Sequence, residues 1–163
     1  MPRFQRIDHV VIASEDTAET ARLWERNLGL KAESPYKPAS AGFQVARLPV
    51  GDAFLELVQP LSEGGGLAEE LRKGGEGLFS LSIEVDDLEA AVAYLRERGA
   101  SVSDPESGIW PDTRVARIGP TAVSADRGSS SSISLWPMVS RAAFTPCSST
   151  VACLCRGRPR TSR

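Results

Sequence analysis

The chain has 163 residues, of which 41% are hydrophobic and 25% charged, a balance typical of a folded globular domain and not of a disordered or fibrous chain. Its net charge of −2 combines 13 basic and 20 acidic side chains over residues 1–120 (net −7) with 6 basic and 1 acidic over residues 121–163 (net +5). The acidic body disfavours nucleic-acid binding. No apolar run approaches the roughly 20 residues that span a bilayer, and the N-terminus lacks a signal-peptide pattern, so we expect a cytoplasmic protein without a membrane partner.

The N-terminal part predicts a strand, a helix and a hairpin, in that order. Phe4–Ala13 is rich in β-branched residues and predicts a buried strand. From Thr17 onwards apolar residues recur at helical spacing, and Gly29 is a natural helix end. After a proline-containing loop over residues 31–42, the segments FQVARLPV and DAFLELVQP alternate as two strands around a Gly-Asp pair.

A glycine-rich segment, residues 61–77, separates this unit from a second one. It contains a short amphipathic stretch from Leu67 to Leu71, and its composition is typical of a linker or a lid. The second unit starts at Leu78 with LFSLSIEV, continues with a helix from Leu88 to Arg98, and reaches TRVARIGP after a loop. Its elements follow the order of the first unit.

The agreement between the two units predicts an internal duplication. VARI in the second unit repeats VARL in the first at a spacing of 70, so that Arg117 corresponds to Arg47 and the pair is expected to share a structural role. The alignment of the two helices places Ser80 at the position of His9, which is the only histidine of the chain. If the two units contribute equivalent positions to one site, we therefore expect that site to have a histidine on one side and a serine on the other.

Beyond Pro120 the repeat breaks down. Four consecutive serines, residues 129–132, precede SISLW, and Cys, Arg, Pro and Ser dominate to the end. We expect a degraded final strand up to residue 136 and a basic tail over residues 137–163. Two explanations stay open, a shifted coding frame and a genuine disordered tail. The three cysteines all lie in the last seventeen residues, with spacings that fit neither a zinc knuckle nor a paired bridge.

The amino-acid sequences of three segments resemble those of the vicinal oxygen chelate superfamily. This superfamily includes glyoxalase I, methylmalonyl-CoA epimerase, extradiol dioxygenases and bleomycin-resistance proteins. The segments are IDHVVIA, LELVQP and GEGLFSLSIEVDDLEAAVAYLRERG, and they are most similar to the epimerase-like and glyoxalase-like branch. The resemblance implies an α+β fold in which two tandem βαβββ modules form a cupped mixed sheet, here with a damaged last strand. The implied domain covers residues 1–120, with module one at 5–60, the linker at 61–77, and module two starting at 78 and running in degraded form to 136.

In that superfamily, side chains from the first and last strands of each module hold a divalent metal. The resemblance places these ligands at His9 and Glu56 in module one, and puts Ser80 and Ser134 at the matching positions of module two. Co, Ni, Zn or Mn would suit imidazole and carboxylate ligands. Two of the four implied ligands are missing, because a serine hydroxyl is a poor replacement.

Each of these residues also has a purely structural interpretation. His9 lies in an apolar run, where a lone histidine is often a hydrogen-bonded interior residue. Glu56 alternates with two leucines and would be a solvated carboxylate if its face of the strand met water. Trp24, Phe79 and Ser80 are candidates for the substrate pocket, although an aromatic residue at helical spacing usually packs in the core.

Three functional hypotheses follow from the resemblance. The first is a metal-dependent isomerase or lyase that abstracts a proton next to a carbonyl, with Glu56 as the catalytic carboxylate, His9 as a metal ligand and an incomplete metal site. Its substrate would be an acyl-CoA thioester or a glutathione adduct, and a homodimer is plausible. The second is a non-catalytic protein of the bleomycin-resistance type that binds a small molecule. The third is a frameshifted, inactive copy.

Overall fold

A curved, mixed seven-stranded sheet with three helices forms the described part of the chain. The computed structural model describes residues 1–38 and 41–119 in full and residues 151–156 by their backbone alone. The sheet order is β2-β3-β1-β4-β7-β6-β5. In chain order the elements are β1 (Phe4–Ala13), α1 (Thr17–Leu28), β2 (Phe43–Val50), β3 (Ala53–Pro60), α2 (Gly66–Gly74), β4 (Gly77–Val85), α3 (Leu88–Glu97), β5 (Glu106–Ser107), β6 (Arg114–Ile118) and β7 (Val151–Arg156). The expected α+β class with a mixed sheet is confirmed.

The two halves of the sheet share one pairing pattern. In the first half β3 pairs with β1 in parallel and with β2 in antiparallel orientation, and in the second half β7 pairs in the same way with β4 and β6. The halves join through the antiparallel pair of β1 and β4 at the centre. The Tyr36–Val45 bridge has its counterpart in the Glu106–Val115 pair, again at a spacing of 70.

Local signals in the sequence explain where the helices begin and end. The Asp16 side chain accepts hydrogen bonds from the backbone N–H groups of Ala18 and Glu19, which caps α1. Gly29 ends this helix with a φ of 71°, a left-handed conformation that glycine adopts without steric cost. Asp87 caps α3 by accepting from the Ala90 N–H. Both helices start at the positions that the sequence predicts.

The two faces of β2 and β3 carry different kinds of residue. Ala46, Leu48 and Leu57 are buried against Ala21 of α1. Val45 and Val58 lie on the opposite face and pack with Val11, Phe79 and Trp110. We call the face of the sheet that carries Val11, Val45 and Val58 the inner face. A second helix-side cluster is formed by α3 and β6, with members Val85, Leu88, Ala91, Val92, Val102, Ala116 and Ile118.

Two segments differ from the sequence-based expectation. The linker contains a helix, α2, whose Leu71 is buried and whose Leu67 packs against the inner-face cluster. The strand that completes the second half is β7, formed by Val151–Arg156, which lies within the segment that we expected to be a tail. Ser134 and the segment around it lie outside the described residues. Among the described residues, no helix is long and apolar enough to cross a membrane.

Candidate functional site

His9 and Glu56 meet on the inner face of the sheet. They belong to neighbouring parallel strands, β1 and β3, and His9 Nε2 lies 3.7 Å from Glu56 Oε2. Glu56 is 1% exposed. Leu57 packs towards α1, so the alternation of β3 turns Glu56 to the inner face, where burial replaces the water contact of an ordinary strand carboxylate. The structure therefore brings together the two residues that the sequence singles out.

Glu56 is held by three N–H groups that all reach one oxygen. Arg47 Nε and Nη2 donate to Oε1 at 3.1 and 2.7 Å, and the Trp110 indole Nε1 donates to the same atom at 2.9 Å. A carboxylate taken out of water requires such partners, since an uncompensated buried charge is strongly destabilising. The second oxygen, Oε2, is the one that faces His9.

A stack of aromatic rings fixes the arginine. The Arg47 guanidinium carbon lies 4.3 Å from the ring centroid of Phe54 and 3.9 Å from that of Trp110. Tyr36 stacks on Trp110, with 4.7 Å between the ring centroids. A cation between aromatic faces gains electrostatic attraction and loses little mobility on pairing. Arg47 is thus a fixed part of the site.

Trp110 reaches Glu56 from the second half of the chain. It lies in the turn between β5 and β6, and this turn is closed by a hydrogen bond from Gly108 N–H to the Thr113 carbonyl at 2.9 Å. The Thr113 hydroxyl in turn donates to the Trp110 carbonyl at 2.6 Å. The turn therefore covers Glu56 with an ordered indole ring.

The imidazole of His9 is oriented from both sides. Its Nδ1 lies 2.8 Å from Asp8 Oδ2 and its Nε2 lies 2.8 Å from the Ser82 hydroxyl. A carboxylate oxygen only accepts, so Nδ1 carries the hydrogen and donates to Asp8. In the neutral ring Nε2 then accepts a hydrogen bond from the Ser82 hydroxyl.

The register of the second half gives the positions equivalent to His9 and Glu56. Arg47 pairs with Glu56 across β2 and β3, and Arg117 pairs with Cys153 across β6 and β7. Cys153, and not Ser134, therefore occupies the backbone position that corresponds to Glu56. The same register sets Ser80 at the position of His9, as in the alignment of the two units.

The three pocket candidates have different surroundings. Trp24 packs in the α1 cluster with Leu57, on the face of β3 opposite to Glu56, so the structure does not bring it to the site. Phe79 belongs to the inner-face cluster together with Trp110. Ser80 is buried at 9% exposure, on the strand that neighbours β1.

Five residues that shape the site were not singled out from the sequence, namely Asp8, Tyr36, Phe54, Ser82 and Trp110, and Arg47 was expected only to share a structural role with Arg117. Trp110 is 54 positions from Glu56 and Ser82 is 73 from His9, so no local pattern could show these contacts. Asp8 had a weak signal, because a carboxylate beside the only histidine is an obvious candidate to orient the ring.

The described side chains do not fit a resident divalent ion. Stable sites usually have three or four protein ligands, and the described residues contain no group of three His, Cys, Asp or Glu side chains placed to hold a metal. His9 and Glu56 supply two donors, and the positive charge of Arg47 lies 2.7 Å from Glu56. Arg47 thus competes with any cation for the charge of Glu56.

Two clefts lie elsewhere on the described surface. One of about 290 Å³ lies between α1 and the loop that follows it, lined by Thr17, Ala21 and Pro35 among others. The other, of about 690 Å³, lies along α2 and is lined in part by Leu71 and Arg72. Neither is lined by His9 or Glu56.

Comparisons with known proteins agree with the fold. The ethylmalonyl-CoA/methylmalonyl-CoA epimerase of Cereibacter sphaeroides is 33% identical over 98 residues, which are 60% of this chain and 73% of that protein. The mitochondrial methylmalonyl-CoA epimerase of Bos taurus is 28% identical, over 64% of this chain and 60% of its own length. A solved variant of the Streptomyces coelicolor epimerase, in complex with 2-nitronate-propionyl-CoA, superposes with a TM-score of 0.73 at 21% identity, covering 99% of this chain and 100% of that one.

A family model matches residues 8–116, a range that contains His9, Glu56 and Trp110. This match covers well over half of the chain. The chain belongs to the glyoxalase/bleomycin resistance protein/dioxygenase superfamily.

Proposed function

We propose that this protein is an isomerase that removes and returns a proton next to a thioester carbonyl, as in the epimerisation of methylmalonyl-CoA. The observation that carries the proposal is the meeting of His9 Nε2 and Glu56 Oε2 at 3.7 Å on the inner face. It is supported by relatives that are named as methylmalonyl-CoA epimerases. The substrate class is an acyl-CoA thioester, with a glutathione adduct as the competing class.

The chemistry needs a base that is fixed next to the acidic carbon. When the C–H bond breaks, its electron pair delocalises into the thioester carbonyl and the proton passes to the base; the configuration inverts when a proton is returned to the opposite face of the planar carbon. His9 keeps 14% of its side chain exposed and is the member of the pair that a ligand meets first. Glu56 Oε2 is the second proton acceptor, and Arg47 and Trp110 hold it in place through Oε1.

A divalent ion, which the family resemblance implies, would be held by His9 and Glu56. Co, Ni, Zn or Mn could polarise the carbonyl oxygen and stabilise negative charge there. Since two donors fall short of the usual ligand number and Arg47 already compensates Glu56, the proton transfer proposed above depends on the side chains alone. A homodimer is included in the proposal, and size-exclusion chromatography tests it directly.

Exchange of the α-proton of methylmalonyl-CoA in D2O, followed by proton NMR, tests the proposed activity. We expect the wild-type protein to catalyse exchange, and Glu56→Gln and His9→Asn to lower the rate by about 100-fold or more, as is typical when an acid or base is lost. Glu106→Gln is the matched control, because Glu106 is a half-exposed strand carboxylate paired with Arg117. Exchange no faster than in buffer would refute the enzyme proposal, and full activity in Glu56→Gln would refute the role of Glu56 in it.

One specific observation favours a second candidate, a non-catalytic small-molecule-binding protein. Glu56 is almost fully buried and its Oε1 atom is engaged by three N–H groups, which is also the arrangement of a structural ion pair. A binding protein would show saturable calorimetric binding of an acyl-CoA without proton exchange. The two measurements on one preparation therefore separate the candidates.

A further inference from the structure

The charge of Glu56 is compensated within the protein before any ligand arrives. Arg47 forms a two-pronged contact with Oε1, at 3.1 Å from Nε and 2.7 Å from Nη2, and both side chains are nearly inaccessible to water. Hydrogen bonds between a guanidinium and a carboxylate are charge-assisted and about twice as strong as those between neutral groups. In a region of low dielectric, a second cation next to the same carboxylate is repelled by the first with little screening.

The guanidinium cannot easily leave this position. It lies between the rings of Phe54 and Trp110, and Tyr36 backs the indole ring on its other side. Withdrawal of Arg47 would break the cation–aromatic contacts together with the ion pair. The arrangement therefore keeps a fixed cation beside Glu56, whether or not a ligand is bound.

We infer that Arg47 is the resident cation of this site, taking the charge-compensating place of a divalent metal, and that the protein works without such an ion. Arg47 is then a positioning residue that acts through Glu56. The inference deepens the proposed function, because it assigns the reaction to a site in which an arginine, and not a metal, balances the carboxylate. It predicts that loss of the Arg47 charge creates metal affinity.

The second half of the chain provides a matched control within the same fold. Arg117 occupies the register position of Arg47 but forms an ion pair with Glu106, and both side chains are about half exposed. An exposed pair of this kind is screened by solvent and contributes little. Removal of the Arg117 charge should leave the Glu56 region untouched.

Manganese titration, with free Mn²⁺ counted by electron paramagnetic resonance, tests the inference without substrate. Mn²⁺ prefers oxygen and nitrogen ligands, so the cysteines interfere little. We expect the wild-type protein to bind Mn²⁺ through Glu56 no tighter than about 0.1 mM, and Arg47→Met to bind it at least about tenfold tighter.

Control variants separate the charge of Arg47 from other effects. Arg47→Lys and Arg117→Met should show no gain in Mn²⁺ affinity, and Glu56→Gln added to Arg47→Met should abolish the gain. Circular dichroism checks that each variant folds, and Arg47→Gln replaces Arg47→Met if the latter does not.

The outcomes decide between a resident arginine and a conventional metal site. Wild-type binding tighter than about 0.1 mM that Glu56→Gln abolishes overturns the inference. A gain of less than about tenfold in the folded neutral variant also overturns it, as does an equal gain in Arg47→Lys. If no neutral variant folds, the wild-type titration decides alone. Proton exchange is measured with and without EDTA: exchange that is lost only in EDTA overturns the inference, whereas exchange that is absent in both conditions refutes the proposed reaction and leaves the metal titrations standing.

Discussion

Arg47 and Glu56 are direct partners across β2 and β3, and the same register in the second half pairs Arg117 with Cys153. The two halves thus share an arginine on β2 and at the equivalent place on β6, but only β3 carries a carboxylate at the paired position. In the first half the ion pair is buried beneath Trp110, whereas Arg117 has turned to Glu106 at the surface. Arg47 therefore lies in a buried region of low dielectric constant, whereas Arg117 is in contact with solvent.

This difference predicts a large gap in stability between the two positions. Glu56→Ala leaves the Arg47 guanidinium buried without its partner, and we expect it to lower the free energy of unfolding by about 3 kcal/mol or more. Replacement of both partners, as Arg47→Met with Glu56→Leu, should cost less than the sum of the single changes, because no buried charge is then left alone. Urea unfolding followed by circular dichroism measures each value.

The exposed pair of the second half serves as the reference. Arg117→Met and Glu106→Ala should each change the free energy of unfolding by less than about 1 kcal/mol, the usual range for exposed ion pairs. If Arg47→Met and Arg117→Met lowered the free energy of unfolding by equal amounts, burial would not be what determines the strength of the first ion pair.

His9 offers a direct spectroscopic prediction, because it is the only histidine of the chain. Its Nδ1 donates to Asp8 and its Nε2 faces Ser82, so the neutral ring should be almost entirely in the tautomer with hydrogen on Nδ1. Nitrogen-15 chemical shifts of the imidazole, measured at a pH where the ring is neutral, report the tautomer. Asp8→Ala should produce a mixture of both tautomers, and Ser82→Ala should change it much less.

The sequence predicts the local structure of this protein better than its site. The strand Phe4–Ala13 and the starts of α1 and α3 depend on branched residues and on the caps Asp16 and Asp87, all of which are local signals. The inward direction of Glu56 follows from the alternation of a strand whose neighbours pack on a helix. The fold class was implied by the resemblance to the superfamily, which the repeated order of strands and helices accompanies.

Contacts between distant segments could not be predicted in this way. The cover of Glu56 by Trp110 depends on how the turn between β5 and β6 approaches β3, which no periodicity encodes. The identity of β7 was missed because a long polar, serine-rich segment separates it from β6, and its backbone pairing with β4 is determined by tertiary structure. Arg47 was expected to have a structural role, but its pairing with Glu56 was not predicted. The pairing depends on the register of the β2–β3 hairpin.

The two helix caps predict matched effects in the two halves. Asp16 accepts from two backbone N–H groups of α1, and Asp87 accepts from one of α3. Asp16→Ala and Asp87→Ala should each lower the free energy of unfolding by about 1 kcal/mol. Glu25→Ala, an exposed change within α1, is the control and should cost no more than about 0.5 kcal/mol. A cost at Asp87 as small as that of the control would mean that its cap contributes nothing.

The position of β7 predicts the effect of shortening the chain. Its backbone pairs with β4 in parallel and with β6 in antiparallel orientation, so it fills the gap between two strands of the sheet. A chain that ends at residue 119 would expose the unpaired N–H and C=O groups of both neighbours, and such edges promote aggregation.

We expect this shortened chain to be insoluble or to unfold without a cooperative transition, whereas a chain that ends at Arg156 should behave like the full-length protein. Sedimentation velocity and thermal unfolding of the two truncated forms compare them. Equal solubility and cooperativity would show that Val151–Arg156 is dispensable for the sheet, and would favour the view that the C-terminal segment is an unstructured addition.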